Sequence, residues 1–274
     1  MTPPMLAAHG LAFGYGAKVV GRDVDLAVQP GEVLCLLGPN GSGKTTLFKT
    51  MLGLLAPQAG RVNLGGAPMA KLTRLEIARR VAYVPQAHSA HFPFRVIDMV
   101  VMGRTAHLGL FASPTHEDRR KAQRALERLG IGELAENEYT RISGGQRQLA
   151  LVARALAQDA PAIVMDEPTA SLDFGNQVVV LSEVKRLAAQ GLAVLLSTHD
   201  PDHAFSIADR VALLDGGRLI AQGLPGEVLT PERLRTVYGV SVAVERLPQG
   251  QIVCAPDYGL PSPRAASGVA REPR

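Results

Sequence analysis

Three short runs of mainly apolar residues dominate the hydrophobic pattern, and they lie at 33–37, 162–166 and 192–197. Runs of this length are typical of strands that are buried on both faces of a parallel sheet. Each run precedes a segment with helical periodicity, at 44–54, 175–189 and 201–208. Strands that alternate with helices in this way predict an α/β fold with a parallel central sheet.

Other parts of the chain depart from this pattern. Alternating apolar positions predict antiparallel strands near the N-terminus at 5–13 and 23–28, and a further short strand at 59–66. A hairpin is predicted around Gly216 and Gly217. Shorter elements are predicted as a helix at 73–79, a strand at 80–84 and a helix at 231–238.

The centre of the chain is predicted to be helical, over 96–103, 116–129 and 144–158. We therefore predict a single domain over residues 1–240, in which a helical subdomain of about 90–158 interrupts the α/β core. Residues 241–260 are predicted to form a small strand extension, and the Pro- and Arg-rich residues 261–274 a disordered tail.

Composition and charge narrow the function classes. Hydrophobic residues make up 46% of the 274 residues, which is globular, while aromatic residues make up only 4% and Trp is absent. The net charge is +4, of which residues 261–274 contribute +2. The low aromatic content and the small remaining charge argue against a nucleic-acid partner.

The cysteines and the apolar runs exclude further classes. Cys35 and Cys254 are the two cysteines of the sequence, which excludes a disulfide framework and a cysteine-based metal site. No signal-peptide pattern opens the chain, and no apolar run reaches the ~18 residues of a membrane span. The sequence predicts a cytoplasmic protein that can still dock on a membrane partner.

A glycine-rich loop follows the first buried run and has the pattern G-x-x-x-x-G-K-[ST]. Its residues are Gly38, Pro39, Asn40, Gly41, Ser42, Gly43, Lys44 and Thr45. Glycines allow backbone N–H groups to converge on an anion, and the following helix N-terminus also favours a phosphate. Lys44 can reach the β- and γ-phosphates, and the Thr45 hydroxyl can ligate Mg²⁺.

The carboxylates Asp166 and Glu167 stand at the end of the second buried run. A helix with a capping serine comes before this run in the sequence. Asp166 can hold Mg²⁺, directly or through a water, while Glu167 can act as the general base for an attacking water. Ser143, followed by Gly144 and Gly145, is a good N-cap and leaves N–H groups free at a second helix start. In isolation that segment is as consistent with an ordinary capped helix as with an anion site.

In this order, these elements resemble the ATP-binding subunit of ATP-binding cassette (ABC) transporters. Tyr15 matches the aromatic loop, 38–45 the Walker A loop, and Gln86 the Q-loop. Residues 143–146 match the signature motif, with Ile142 in place of the usual Leu. The remaining matches are Asp166 and Glu167 for Walker B, 171–173 for the D-loop and His199 for the switch histidine.

The resemblance implies a P-loop NTPase core with an antiparallel β subdomain and an inserted helical subdomain. It implies catalytic roles for Lys44, Gln86, Glu167 and His199, and Mg²⁺ ligation by Thr45, Gln86 and Asp166. The residues implied to bind ATP are Tyr15, Gly38, Pro39, Asn40, Gly41, Ser42, Gly43, Lys44, Thr45, Thr46, Ser143, Gly144, Gly145, Gln146 and Asp173.

The resemblance also implies partners. Two copies would bind head to tail around two ATP molecules, with the signature motif of one copy facing Lys44 of the other. The dimer would act with two membrane permease subunits and an extracytoplasmic solute-binding protein, at the cytoplasmic face of the inner membrane. The segment after Gln86 would form the groove for the permease.

Three classes of ABC ATPase differ in the process that ATP hydrolysis powers, namely transport, DNA repair and work on the ribosome. A DNA-repair ATPase would carry a long coiled-coil insertion, but 99 residues separate Lys44 from Ser143 and no sustained heptads occur there. A ribosomal factor would carry two cassettes.

The segments 92–104 and 171–177 resemble importers of metal chelates such as iron siderophores, haem, cobalamin or molybdate. Import of another solute, export, and a non-transport ATPase remain as alternatives.

Overall fold

The computed structural model describes residues 3–86, 93–109 and 112–258. The strands are β1 (Leu6–Tyr15), β2 (Lys18–Val28), β3 (Val33–Leu37), β4 (Ala59–Leu64), β5 (Ala67–Pro68), β6 (Val81–Val84), β7 (Ala162–Asp166), β8 (Ala193–Thr198), β9 (Arg210–Asp215), β10 (Arg218–Gly223), β11 (Val242–Arg246) and β12 (Ile252–Pro256). The α-helices are α1 (Lys44–Met51), α2 (Arg74–Arg80), α3 (Val96–Val101), α4 (His116–Arg128), α5 (Gly144–Ala157), α6 (Phe174–Ala189), α7 (Pro201–Ile207), α8 (Pro225–Val228) and α9 (Pro231–Tyr238).

The central sheet has six strands in the order β10-β9-β3-β8-β7-β6. All neighbours are parallel except β9 and β10, which form an antiparallel pair at one edge. The strands β3, β7 and β8 are buried along their whole length. Their carboxyl ends therefore lie side by side at one edge of the sheet, where an α/β fold places its ligand.

The two faces of this sheet belong to different apolar clusters. Along β3, Cys35 faces the cluster that contains most of the helices, while Leu34 and Leu36 face a second cluster that contains Leu47 and Phe48 of α1. Burying a leucine side chain contributes about 1.5–3 kcal/mol, so residues on both faces of the strand stabilise the sheet. Because both faces of these strands contact apolar clusters, the apolar runs do not alternate between apolar and polar residues.

A second sheet, in the order β2-β1-β4-β5, is antiparallel and packs on the second cluster. Phe13 of β1 is fully buried beside α1 and comes close to the glycine-rich loop. This packing holds the β1–β2 hairpin against the start of α1.

The structure departs from the prediction at several elements. The helix predicted at 96–103 ends at Val101 and continues as a 3-10 helix over Met102–His107, where Gly103 packs directly on the backbone of Arg154. The strand predicted at 23–28 begins earlier, at Lys18, and the short elements β5 and α8 were absent from the prediction. The strand predicted at 59–66 ends at Leu64, because Gly65 and Gly66, the glycine pair expected to stop it, adopt positive φ.

Two further predictions lie outside the described residues, namely the tail at 261–274 and most of the permease groove after Gln86. The division of residues 1–240 into a core and an inserted subdomain stays a prediction. Within the described ranges, no helix has the length and apolarity that a bilayer crossing requires.

A buried ion pair joins the 3-10 helix Met102–His107 to α4, and a hydrogen bond connects the same arginine to the end of α5. Arg104 Nε lies 2.9 Å from Asp118 Oδ1, and the two side chains are 8% and 9% exposed. Arg104 Nη1 donates to the Ala157 carbonyl, and Asp118 Oδ2 accepts from the N–H and hydroxyl of Thr115. The hydrogen bonds from Thr115 and Arg104 hold the pKa of Asp118 well below its usual range.

We expect Asp118→Asn to lower the free energy of unfolding by about 3–5 kcal/mol at pH 7, because Arg104 would stay buried without a counter-charge. The pKa of Asp118 is lower in the folded state, so its contribution is present above the unfolded pKa of about 4 and is lost as pH falls. Denaturant titrations at several pH values test this. The difference between wild type and variant should shrink below about pH 4.

Glu117→Gln is the matched control, since this neighbouring carboxylate forms its ion pairs with Arg120 and Arg124 at the exposed surface. It should change stability little. Equal losses in the two variants would contradict the assignment of the stabilisation to the buried pair.

Candidate functional site

The glycine-rich loop connects β3 to α1 at the carboxyl edge of the central sheet. At Gly38, a Cβ atom would lie 2.1 Å from the Leu214 carbonyl oxygen, so no side chain fits. Gly43 adopts φ of 104° and lies under Val20 and Phe13 of the β1–β2 hairpin. A left-handed backbone and close packing therefore explain the glycines at these two positions.

Lys44 lies across this loop and is only 5% exposed. Its Nζ donates to the carbonyl oxygens of Gly38 at 2.7 Å and Pro39 at 3.2 Å. The Ser42 hydroxyl is buried, and among the described residues it has no hydrogen-bond partner. A buried cation and a free buried hydroxyl on one loop fit a phosphate, which accepts hydrogen bonds from both.

Glu167 directly follows β7 and adopts φ of 48°, which is unusual for a residue with a side chain. Ser197 of the neighbouring strand β8 holds this bend in place. Its Oγ accepts from the Glu167 N–H at 3.0 Å and donates to Asp166 Oδ1 at 2.7 Å. One serine therefore holds the Asp166 carboxylate and the Glu167 backbone, because the parallel register places Asp166 opposite Ser197.

The carboxylate of Glu167 is the point where the four predicted catalytic residues meet. Lys44 Nζ lies 3.4 Å from Oε1. Gln86 Nε2 and His199 Nδ1 each lie 3.5 Å from Oε2. Glu167 is 12% exposed and His199 54% exposed, so the acid group is enclosed while the imidazole borders solvent.

Two oxygen ligands for a cation are available beside this cluster. Asp166 is 1% exposed, and among the described residues its Oδ2 has no hydrogen-bond partner. The Thr45 hydroxyl likewise forms no hydrogen bond within the part of the chain that the structure describes. This donor set fits Mg²⁺, which prefers oxygen ligands and takes only one or two from the protein when it binds with phosphates.

No cluster of three or more His, Cys, Asp or Glu side chains that could hold a metal occurs in the described ranges. A dedicated all-protein metal centre is therefore not formed by these residues.

Tyr15 lies at the tip of the β1–β2 hairpin, paired with Lys18, and its side chain is 48% exposed. Phe13 and Val20, which lie close to this tip, pack on Gly43. The structure thus places an exposed aromatic ring on the element that borders the glycine-rich loop, as stacking on a base requires.

The signature segment lies at the start of α5. Ser143 Oγ accepts from the Gln146 N–H, and Gln146 Oε1 accepts from the Ser143 N–H, which forms a reciprocal capping box. Among the described residues, no hydrogen bond or ion pair joins 143–146 to the glycine-rich loop of the same chain. Both Ser143 and Gly144 are exposed.

Asp173 caps α6 by accepting from the Asn176 N–H at 2.9 Å. The residues before it pack on the signature segment, since a Cβ atom at Gly145 would lie 3.4 Å from the Ser171 carbonyl oxygen. The segments 143–146 and 171–173 are therefore neighbours within one chain.

Sequence reasoning missed three residues of this region. Ser197 was identified only as part of a strand, although it holds the Asp166 carboxylate and the Glu167 backbone. His203 on α7 contacts the turn that carries His199. Burial raises the pKa of Tyr238 on α9 to about 12, with Asp200, Cys254 and Glu167 acting in the same direction and the Gly38 amide opposing.

Comparisons with known proteins agree with this geometry. Residues 22–170 match the profile of the ABC transporter family. An uncharacterized ABC transporter ATP-binding protein of Haemophilus influenzae is 44% identical over 237 residues, which cover 86% of this chain and 90% of the relative. The hemin import ATP-binding protein of Gloeobacter violaceus is 41% identical over 250 residues, covering 87% and 90%.

Among solved structures, an ABC transporter assigned to the metal-chelate type, in an inward-facing conformation, is similar with a TM-score of 0.81. The two chains are 33% identical, and the match covers 94% of this chain and 99% of the other. The predicted fold class, a P-loop NTPase core of mixed α/β architecture, is confirmed.

Proposed function

Because this chain belongs to the ABC transporter family, we propose that it is the ATP-hydrolysing subunit that powers import of a metal chelate through a membrane permease. The single observation that carries the ATPase assignment is the convergence of Lys44, Gln86 and His199 on the Glu167 carboxylate. The similarity to a hemin import subunit and to a metal-chelate type transporter supports the choice of solute.

ATP would be bound by side chains of the glycine-rich loop that now donate to the loop itself or, among the described residues, have no hydrogen-bond partner. Lys44 Nζ would exchange its loop carbonyls for β- and γ-phosphate oxygens, and N–H groups of 40–46 would surround the same phosphates. The Ser42 hydroxyl would gain the hydrogen-bond partner that it lacks. Tyr15 would stack on the adenine.

Thr45, Gln86 and Asp166 would hold Mg²⁺, which when bound neutralises charge on the β- and γ-phosphates. The Ser197 hydroxyl orients Asp166 for this role by donating to its Oδ1. Ser197 also orients the Glu167 backbone, so the two carboxylates keep separate roles.

Hydrolysis requires a base, and Glu167 is the enclosed carboxylate beside the phosphate loop. Its Oε2 would accept a proton as a water attacks the γ-phosphorus and the bond to the bridging β,γ oxygen breaks. Gln86 would orient that water, and His199 would donate a hydrogen bond to the γ-phosphate. Both side chains are already within 3.5 Å of the base.

The exposed signature segment implies a second copy. Within one chain, Ser143, Gly144, Gly145 and Gln146 form no hydrogen bond to the described phosphate loop. In a head-to-tail dimer, the N–H groups at the start of α5 would face the γ-phosphate bound by the partner. Asp173, next to this segment, would couple the two sites.

The remaining partners follow from the proposed transport role. The dimer would bind two integral-membrane permease subunits and receive solute from a periplasmic or extracellular binding protein. The chain would then be peripheral at the cytoplasmic face of the cell membrane. Iron siderophores, haem, cobalamin and molybdate are the solute class that this proposal covers.

Transport in proteoliposomes tests the proposal. We expect that vesicles holding this subunit with its permease accumulate hemin when ATP and the solute-binding protein are present, and that the binding protein stimulates ATP hydrolysis. The same vesicles with Lys44→Ala should accumulate none.

Cobalamin and a ferric siderophore serve as parallel probes of the solute class. ATP hydrolysis that responds to none of these chelates, or that ignores the binding protein, would contradict import of a metal chelate and favour another solute or export.

A further inference from the structure

A partly buried histidine on α7 bridges two loops of the nucleotide site. The side chain of His203 is 14% exposed. Its Nδ1 lies 3.4 Å from the hydroxyl of Thr169, which follows Glu167, and 3.4 Å from the hydroxyl of Thr198, which precedes His199. Among the described residues, His203 forms no hydrogen bond to Lys44 or Glu167, so it acts on the site only through these loops.

The other ring nitrogen, Nε2, lies 3.4 Å from Asp200 Oδ2. The ring therefore contacts the Asp200 carboxylate through one nitrogen and the two threonine hydroxyls through the other. The Thr198 hydroxyl is itself tied to the turn, because it accepts from the Asp200 N–H at 3.1 Å.

The loop after Glu167 is also held by α6. Gln177 Nε2 on α6 donates to the carbonyl oxygens of Thr169 at 3.4 Å and Leu172 at 3.2 Å. The loop therefore has contacts with both α6 and the His203 ring. Neither contact involves the carboxylate of Glu167 itself.

Free space lies at the point where these groups meet. A cavity of about 80 Å³ is lined by Glu167, His199, Thr169, Gln177 and His203, among others. Since a water occupies about 30 Å³ in the liquid, this space holds roughly two waters. The loops can thus shift into it if the ring that separates them is removed.

We propose that His203 is a positioning residue that sets the distance between the turn carrying His199 and the loop following Glu167. The inference rests on the proposed roles of Glu167 and His199 in hydrolysis. It extends them by naming the side chain that keeps the base and the switch histidine in one arrangement. Errors of about 1 Å in such an arrangement cost up to ~100-fold in rate.

The test compares His203→Ala, His203→Asn and the exposed-surface control His116→Ala in steady-state ATPase assays. We expect His203→Ala to lower kcat about tenfold per ATP-binding molecule, as removal of an outer-shell partner does. KM for ATP should change less than about twofold, because Lys44 and the phosphate loop are untouched. His116→Ala should match wild type.

Recovery of kcat in His203→Asn distinguishes a positioning role of His203 from a role in packing alone. Asparagine places an amide oxygen near the position of Nδ1, so His203→Asn should recover most of the lost kcat. A merely structural role would instead lower the fraction of molecules that bind ATP and leave kcat per binding molecule unchanged. That result, or an Asn variant as slow as the Ala variant, would overturn the inference.

If His203→Ala does not fold, the isosteric Thr169→Val removes one hydroxyl partner and should still lower kcat about threefold with KM unchanged. Wild-type kcat in Thr169→Val would then overturn the inference. Absence of ATPase activity in the wild-type protein would instead contradict the proposed function, so the two failures are distinguishable.

Discussion

Replacing Glu167 with Gln should lower kcat for ATP hydrolysis by at least ~100-fold and leave ATP binding intact. The amide keeps the volume of the carboxylate and an oxygen that can face Lys44 Nζ, now 3.4 Å from Oε1. It cannot accept the proton from an attacking water, which is the step that a general base supplies. Single-turnover hydrolysis and equilibrium binding of ATP measure the two effects separately.

The same variant should also accumulate as a dimer with ATP and Mg²⁺, because the bound nucleotides are not consumed. Light scattering after size-exclusion chromatography measures this. A monomer at saturating ATP and Mg²⁺ would count against the sandwich arrangement.

Glu127→Gln, at an exposed position of α4, is the matched control and should retain wild-type kcat. A Glu167→Gln protein with kcat within threefold of wild type would require a different base.

The parts of the site that are local in sequence could be predicted, and those that depend on strand order could not. The loop 38–45 is specified by its own glycines, lysine and threonine between a strand and a helix. In contrast, the contact of Glu167 with Gln86 spans 81 residues and depends on β6 and β7 being neighbours. Periodicity identifies both strands but not their adjacency, which came from the family resemblance alone.

Ser197 and His203 illustrate why single residues were missed. Ser197 ends an apolar strand and carries no motif of its own, and its role follows from a register that pairs it with Asp166. His203 lies on a seven-residue helix where a histidine is normally a surface residue. Its partners come from a loop 34 residues away and from the preceding turn, and only tertiary packing brings these together.

The 3-10 conformation of Met102–His107 also could not be predicted from the hydrophobic pattern of the sequence. The apolar spacing of 96–103 suits a helix, but the chain tightens to a 3-10 helix from Met102 because Gly103 packs against the Arg154 carbonyl oxygen. A Cβ atom there would lie 2.1 Å from that oxygen. The backbones of Gly103 and Arg154 approach each other closely at this point. Helical periodicity in the sequence contains no information about such a tertiary contact.

Lys44→Ala and Ser143→Arg should each abolish ATP hydrolysis alone, and a mixture of the two should regain activity. Lys44→Ala removes the cation that would bind the β- and γ-phosphates, so ATP binding is lost in every site. Ser143→Arg puts a bulky side chain at the exposed start of α5, and losing the cap costs only about 1 kcal/mol. This variant should therefore fold and still bind ATP through its own Lys44.

Random pairing of the two variants makes half of the dimers mixed. If the phosphate loop of one copy works with the signature segment of the other, each mixed dimer has one site with both defects and one intact site. Independent sites would then give roughly a quarter of the wild-type rate. The assay is steady-state phosphate release from separately purified proteins before and after mixing.

The decisive control mixes Lys44→Ala with Glu167→Gln. These two side chains face each other within one chain, 3.4 Å apart, so every site in a mixed dimer of this pair lacks either the lysine or the base. No activity should return. Recovery in both mixtures, or in neither, would contradict a site that draws Lys44 and Glu167 from one chain and Ser143 from the other. Recovery in the first mixture alone is the pattern that only such a shared site produces.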